Sequence, residues 1–89
     1  MSAASGGFRE AIDWRTGTIS AQGRLTVQGA DLIHGAALSL HRSGHERITV
    51  DLHGLRFADV EGLAALRRLT DRLRARSWDL VVLSEENLS

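Results

Sequence analysis

His41 and His45 stand four residues apart in the run His41-Arg42-Ser43-Gly44-His45, with Asp51 and His53 close behind. On a continuous helix that spacing puts two imidazoles on one face, as a metal site requires. Gly44, however, falls between them where a helix would stop. No Glu adjoins His41 and the chain has no cysteine, so no known helical zinc motif is completed. Solvated helix-end histidines account for the pair, because a cation suits a helix C-terminus. Asp51 and Asp59 are the carboxylates one would pair for acid–base work, but each has an ordinary structural role, in a strand and at a helix cap. No serine lies in a Gly-x-Ser-x-Gly elbow, and there is neither a Gly-x-Gly-x-x-Gly fingerprint nor a Walker loop. The expectation is therefore no catalytic residue, no metal and no cofactor. A chain of 89 residues also offers little room for an enclosed pocket of about 300 Å³ or more.

The totals point the same way. Hydrophobic residues make up 43% of the chain, enough for one core. Phe8, Trp14, Phe57 and Trp78 are the only aromatics, so that core must be mainly aliphatic. Eleven acidic residues balance eleven arginines, which leaves no net basic footprint for nucleic acid. No run approaches the roughly 18 apolar residues of a membrane span. The first seven residues, Met1-Ser-Ala-Ala-Ser-Gly-Gly7, carry neither the basic start nor the apolar stretch of a signal peptide. A cytoplasmic location is expected.

The elements that must position these side chains read as follows. Residues 1–9 are expected to be a flexible segment and residues 10–89 a single domain. Ala11–Trp14 and Thr18–Gln22 are short strands joined by a turn at Arg15-Thr-Gly17, with Gly23 closing the second. From Val27 to Ser43, Val27, Ala30, Ile33, Ala36, Ala37 and Leu40 recur at three and four residues, the stripe of an amphipathic helix. Thr26 is its N-cap and Gly44 its stop. Arg47–Leu52 alternates as a strand does, β-branched Ile48 and Val50 included, and Gly54 breaks it. Leu55 and Phe57 carry an apolar alternation into the loop Ala58–Gly62. A second helix runs from Val60 to Arg76, with Asp59 as N-cap, Glu61 in the first turn and Leu63, Leu66, Leu69 and Leu73 facing inward. Trp78–Leu83 is the last strand. The order β-β-α-β-α-β, with right-handed crossovers between parallel strands, predicts a small mixed sheet with both helices on one face.

Gly23-Arg-Leu25, a helix, Ile48-Thr-Val-Asp-Leu52, then Phe57-Ala-Asp-Val-Glu-Gly-Leu63 and a leucine-rich helix resemble, in order and spacing, the STAS domain of bacterial anti-sigma factor antagonists. The resemblance covers about residues 10–84. It implies a non-enzymatic signalling module that binds an anti-sigma factor with serine-kinase activity and so frees a sigma factor. The same pattern fits the cytoplasmic STAS subunit of a lipid-transport ABC system, whose partners would be transporter subunits.

In that family the loop reads Phe-x-Asp-Ser-Ser-Gly-Leu, and phosphorylation of the first Ser abolishes binding by adding about −1.5 to −2 charges beside the contact surface. Here the acceptor position is Val60, the next is Glu61, and no hydroxyl occurs between Leu55 and Leu69. Two readings stay open: Val60 makes binding constitutive, or Glu61 imitates a phosphate and holds the module off. The uncharged acceptor position favours the first. By resemblance the partner surface is Phe57, Ala58, Asp59, Val60, Glu61, Gly62 and Leu63. Asp59 would shape the loop, Val60 and Glu61 would face the partner, and Gly62 would allow close approach. Family members add a helix after the last strand, and Ser84-Glu-Glu-Asn-Leu88 looks like the start of one that is otherwise missing. An apolar face left without cover would make a homodimer an expectation.

Overall fold

A computed structural model describes residues 7–84, so the expectations for a flexible head at residues 1–6 and for a further helix starting near residue 85 lie outside the described residues. Six elements follow in order: β1 (Phe8–Asp13), β2 (Thr18–Leu25), α1 (Val27–Arg42), β3 (Arg47–Ala58), α2 (Val60–Ala75) and β4 (Asp79–Leu83). The sheet has the order β1-β2-β3-β4, with β1 antiparallel to β2 and the other neighbours parallel. Both helices pack on one face and against each other. Between them and the sheet lies an aliphatic core centred on Ile19, Leu25, Ile33, Leu40, Ile48 and Val50.

The strands depart from the sequence reading at three places. β1 begins at Phe8, inside the segment expected to be flexible and ahead of Ala11. Its partly buried residues Phe8, Glu10 and Ile12 alternate with exposed Arg9, Ala11 and Asp13. The charge of Glu10 on the inner side hides that alternation in the sequence. One of its carboxylate oxygens is buried without a hydrogen-bond partner, and burial pushes the carboxyl above its ordinary value.

β2 does not close at Gly23 but runs on to Leu25, with Gly23 at φ +90°. Likewise β3 is not broken at Gly54. Ser20 and Gln22 of β2 face Asp51 and Gly54, while Gly23 and Arg24 face Leu55 and Phe57. β3 thus takes one extra residue at each of two bulges. At Gly54 a Cβ would lie 2.8 Å from the Ala21 carbonyl oxygen, so the residue that reads as a strand breaker serves a close backbone approach. The second extra residue is Arg56. It separates the fates of Leu55, which packs on the core, and Phe57, which is 54% exposed.

The helices agree with their periodicity. Thr26 caps α1, its hydroxyl accepting from the Gly29 N–H at 3.2 Å. Gly29 is buried, and a Cβ there would sit 3.0 Å from the Phe8 ring, which ties β1 to α1. Val27 was expected in the buried stripe but is 43% exposed at the first turn, unlike Ala30, Ile33, Ala37 and Leu40. On α2, Leu66, Leu69, Leu73 and Thr70 are buried.

Both helices end in the same hydrogen-bonded motif. After α1, the N–H groups of Gly44 and His45 donate to the His41 and Leu40 carbonyls. After α2, those of Ser77 and Trp78 donate to the Arg74 and Leu73 carbonyls. The left-handed position is Gly44 (φ +100°) in the first and Ser77 (φ +70°) in the second. His41 and Trp78, at these two ends, stack with ring centres 3.9 Å apart.

Candidate functional site

The parallel pairing of β2 and β3 brings the start of both helices to one edge of the sheet, where each strand hands over to its helix. The β3–α2 junction there contains every residue of the expected partner surface. Ala58 is the last residue of β3 and packs on the core. Asp59 has extended backbone (φ −65°, ψ 149°) and occupies the N-cap position of α2. Its N–H donates to the Leu25 carbonyl at 2.9 Å, and its own carbonyl accepts from Leu63 N–H at 2.8 Å. The junction is therefore pinned to the end of β2 by backbone bonds.

The carboxylate of Asp59 does not cap the helix, contrary to expectation. It turns instead toward Arg24 on the neighbouring strand, whose Nε lies 3.4 Å from Asp59 Oδ1. The same guanidinium sits 4.8 Å from the centre of the Phe57 ring, a cation–π distance. Arg24 thus bridges ring and carboxylate and braces the loop from the side. The pair is solvent-exposed, so its contribution to stability is small; its effect is on where Phe57 and Asp59 stand. Sequence reasoning missed Arg24. It lies 35 residues from Asp59, and only the β2–β3 register brings the two together.

Val60 is 86% exposed and Glu61 is exposed beside it. Gly62 is the correction: it is buried, and a Cβ there would come within 2.8 Å of the Leu25 carbonyl oxygen and of Thr26 backbone atoms. Its close approach is to its own chain, where it seats α2 on the β2–α1 junction. Leu63 is half-buried against the core. Phe57, Val60 and Glu61 are the residues of this stretch that face solvent.

The other constellations are not assembled into a site. His41 stacks on Trp78, while His45 Nδ1 lies 3.3 Å from the Leu40 carbonyl oxygen. No group of three or more potential metal ligands occurs among the described residues. Asp51 pairs with His53 at 2.9 Å, and Asp59 with Arg24. Asp51 and Ala58 pair with Ser20 and Leu25, five residue steps or roughly 17 Å apart along β2. Carboxylates that cooperate on one bond stand within about 10 Å of each other. A groove of about 390 Å³ runs beside α2. It is open, and Leu52, Leu66, Thr70 and Val82 line much of it. Among the described residues no helix is long and apolar enough to cross a membrane.

The loop expected at Ala58–Gly62 is reduced to Asp59 alone, because β3 runs through Ala58 and α2 begins at Val60; fold and junction together define a small α/β domain with an exposed strand-to-helix junction. The family model described as "Mlab, STAS domain" matches residues 8–88, and the chain belongs to the STAS domain family. No curated protein matches the chain, and no solved structure does.

Proposed function

We propose that this STAS domain is a non-enzymatic docking module that contacts a partner protein through Phe57, Val60 and Glu61. Asp59 and Arg24 hold the loop in shape, and Gly62 fixes the start of α2 beneath it. The observation that carries the reading is the exposure of Val60, 86%, at the first residue of α2, next to Asp59, whose backbone is bonded to β2. A rigid apolar projection loses little conformational freedom on binding and gains by leaving water. The partner in this reading is a kinase-like anti-sigma factor, and the domain acts as its antagonist. With Val60 in the acceptor position, the contact is constitutive.

One observation favours a second reading. A subunit docked permanently on a transporter needs no phosphoacceptor, and none exists between Leu55 and Leu69. In that case the partner is the ATPase or permease of a lipid-transport ABC system, met by the same surface. The test is affinity isolation of the tagged protein from its own organism, beside a Val60→Asp control. Recovery of a kinase-like anti-sigma factor with the wild type alone supports the antagonist. Recovery of an ABC ATPase and permease moves the domain to transport. Equal recovery of either by the control rejects the loop as the contact.

A further inference from the structure

β1 ends the sheet on one side, and along its second backbone edge no strand pairs with it among the described residues. An open edge of this kind is a template for another strand. β4 ends the other side, but there Arg74 reaches over from α2 and donates to the Leu80 carbonyl at 3.2 and 3.1 Å. The side-chain hydrogen bonds at α1, by contrast, stay within that helix and its ends. The inner face of β1 carries Phe8, Glu10 and Ile12, each only partly buried. The flank of α1 above it carries Leu32, 52% exposed. Leu32 belongs to that flank because it follows Gly29, which sits against the Phe8 ring, by three residues.

The strand matches itself when run antiparallel about Glu10. On the inner face Phe8 then meets Ile12 of a second copy at either side, and Glu10 meets its own counterpart in the middle. On the outer face Arg9 meets Ala11. Aromatic and β-branched side chains make a favourable cross-strand pair. A register about Arg9 would set arginine against arginine. One about Ala11 would set Arg9 against Asp13, whose carboxylate already accepts the Arg15 and Thr16 N–H groups, and would leave Glu10 against Ile12. One carboxylate oxygen of Glu10 is buried with no hydrogen-bond partner. Ala21 lies opposite it on β2, and Gly29 and Leu32 on the near flank of α1 do not titrate. Asp31 and His34 of α1 line the hollow against α2, while Arg9 and Asp13 lie on the outer face of β1. The group that can answer Glu10 is therefore the Glu10 of another copy.

We propose that two copies of this chain join edge to edge through β1, antiparallel about Glu10, and that a proton on Glu10 controls the contact. Two ionised carboxylates there repel each other, and an inward-pointing charge keeps an edge strand unpaired. With one proton between them, one carboxyl donates to the other, the unpartnered oxygen is satisfied, and the two sheets run on as one. Phe8, Ile12 and Leu32 of both copies close around the pair. Burial already favours the protonated carboxyl in the single chain, so the contact tightens as pH falls toward 5. The surface uses none of Phe57, Val60 and Glu61 and is independent of the docking reading.

The test is sedimentation velocity of the full chain at pH 5 and pH 7.5, at one ionic strength, with circular dichroism to check the fold in each case. The wild type should dimerise at least tenfold more tightly at pH 5, because the dimer takes up protons. Glu10→Gln, whose amides hydrogen-bond at any pH, should dimerise equally at both. Leu32→Arg, an exposed substitution, should weaken the dimer at least tenfold. The chain has no cysteine, so a single new thiol reports the contact. In the Glu10→Gln background at pH 7, Ala11→Cys should be joined to its copy by a short bis-maleimide, and Ala75→Cys at the end of α2 should not. Monomers at both pH values, in the wild type and in Glu10→Gln, overturn the inference. So does a wild-type dimer equally tight at both, a dimer indifferent to Leu32→Arg, or cross-linking through Ala75 in place of Ala11.

Discussion

The backbone of Gly62 runs so close to Leu25 that a Cβ built on it would lie 2.8 Å from the Leu25 carbonyl oxygen. That oxygen already accepts the Asp59 N–H, so it cannot move aside without opening the junction. Gly62→Ala should therefore cost about 1–3 kcal/mol, the range for overpacking, even though Ala is the better helix former. Urea denaturation measures it. A variant as stable as the wild type would mean that α2 can shift on the sheet and that the junction is not fixed.

Val60 offers the opposite case, a position where the fold is indifferent and binding is not. An acid in the first turn of α2 suits the helix dipole, so Val60→Asp should melt at or slightly above the wild-type temperature. Its affinity for the partner isolated with the wild type should fall by about 2 kcal/mol, the cost of burying an ill-paired charge. Calorimetric titration with that partner separates the two effects. Unchanged affinity in the folded variant would place the contact elsewhere.

Glu10 carries a pH dependence. Burial raises its carboxyl in the folded chain above the ordinary 4.5, so the folded state holds the proton more tightly than the unfolded one. Stability from this group is complete below about pH 4.5 and declines as pH rises through the folded value. Glu10→Gln removes the charge and should raise Tm at pH 7 while leaving it nearly unchanged at pH 4. Equal shifts at both pH values would show that the side chain acts by shape and not by charge.

Ser77 occupies the left-handed position after α2 that Gly44 fills after α1. A residue with a Cβ pays roughly 1–2 kcal/mol there. Ser77→Gly should recover about 1 kcal/mol, less whatever the extra freedom of Gly costs in the unfolded chain. A loss of stability would show that the Ser77 side chain contributes more than its backbone strain.

How much of this was legible in the sequence varies with the element. Both helices could be read because Ile33, Ala37 and Leu40, and Leu66, Leu69 and Leu73, keep a helical period that tertiary packing does not disturb. The strands were read short wherever the chain departs from strict alternation. Glu10 masks the inner face of β1, and the extra residues beside Gly54 and at Arg56 break the period of β3 without ending it. In the site, the placing of Val60 and Glu61 toward a partner came from the resemblance of Phe57–Leu63 to the STAS loop, and both side chains are exposed. The roles of Gly62 and Arg24 did not, because each depends on a contact across the sheet. Gly23-Arg24-Leu25 stood out for its glycine and leucine, while the arginine between them is the residue that reaches the loop.

The extra residue at Arg56 also bears on how such a surface changes over generations. Leu55 and Ala58 on either side remain anchored in the core, while Arg56 and Phe57 stand free of it. Loss of a single codon there would restore strict alternation, leaving one outward side chain between Leu55 and Ala58 instead of two, with neither helix altered. The length of one strand thus works as a dial on specificity. Diversification by insertion and deletion can proceed at this point while the interior stays under its own, separate selection.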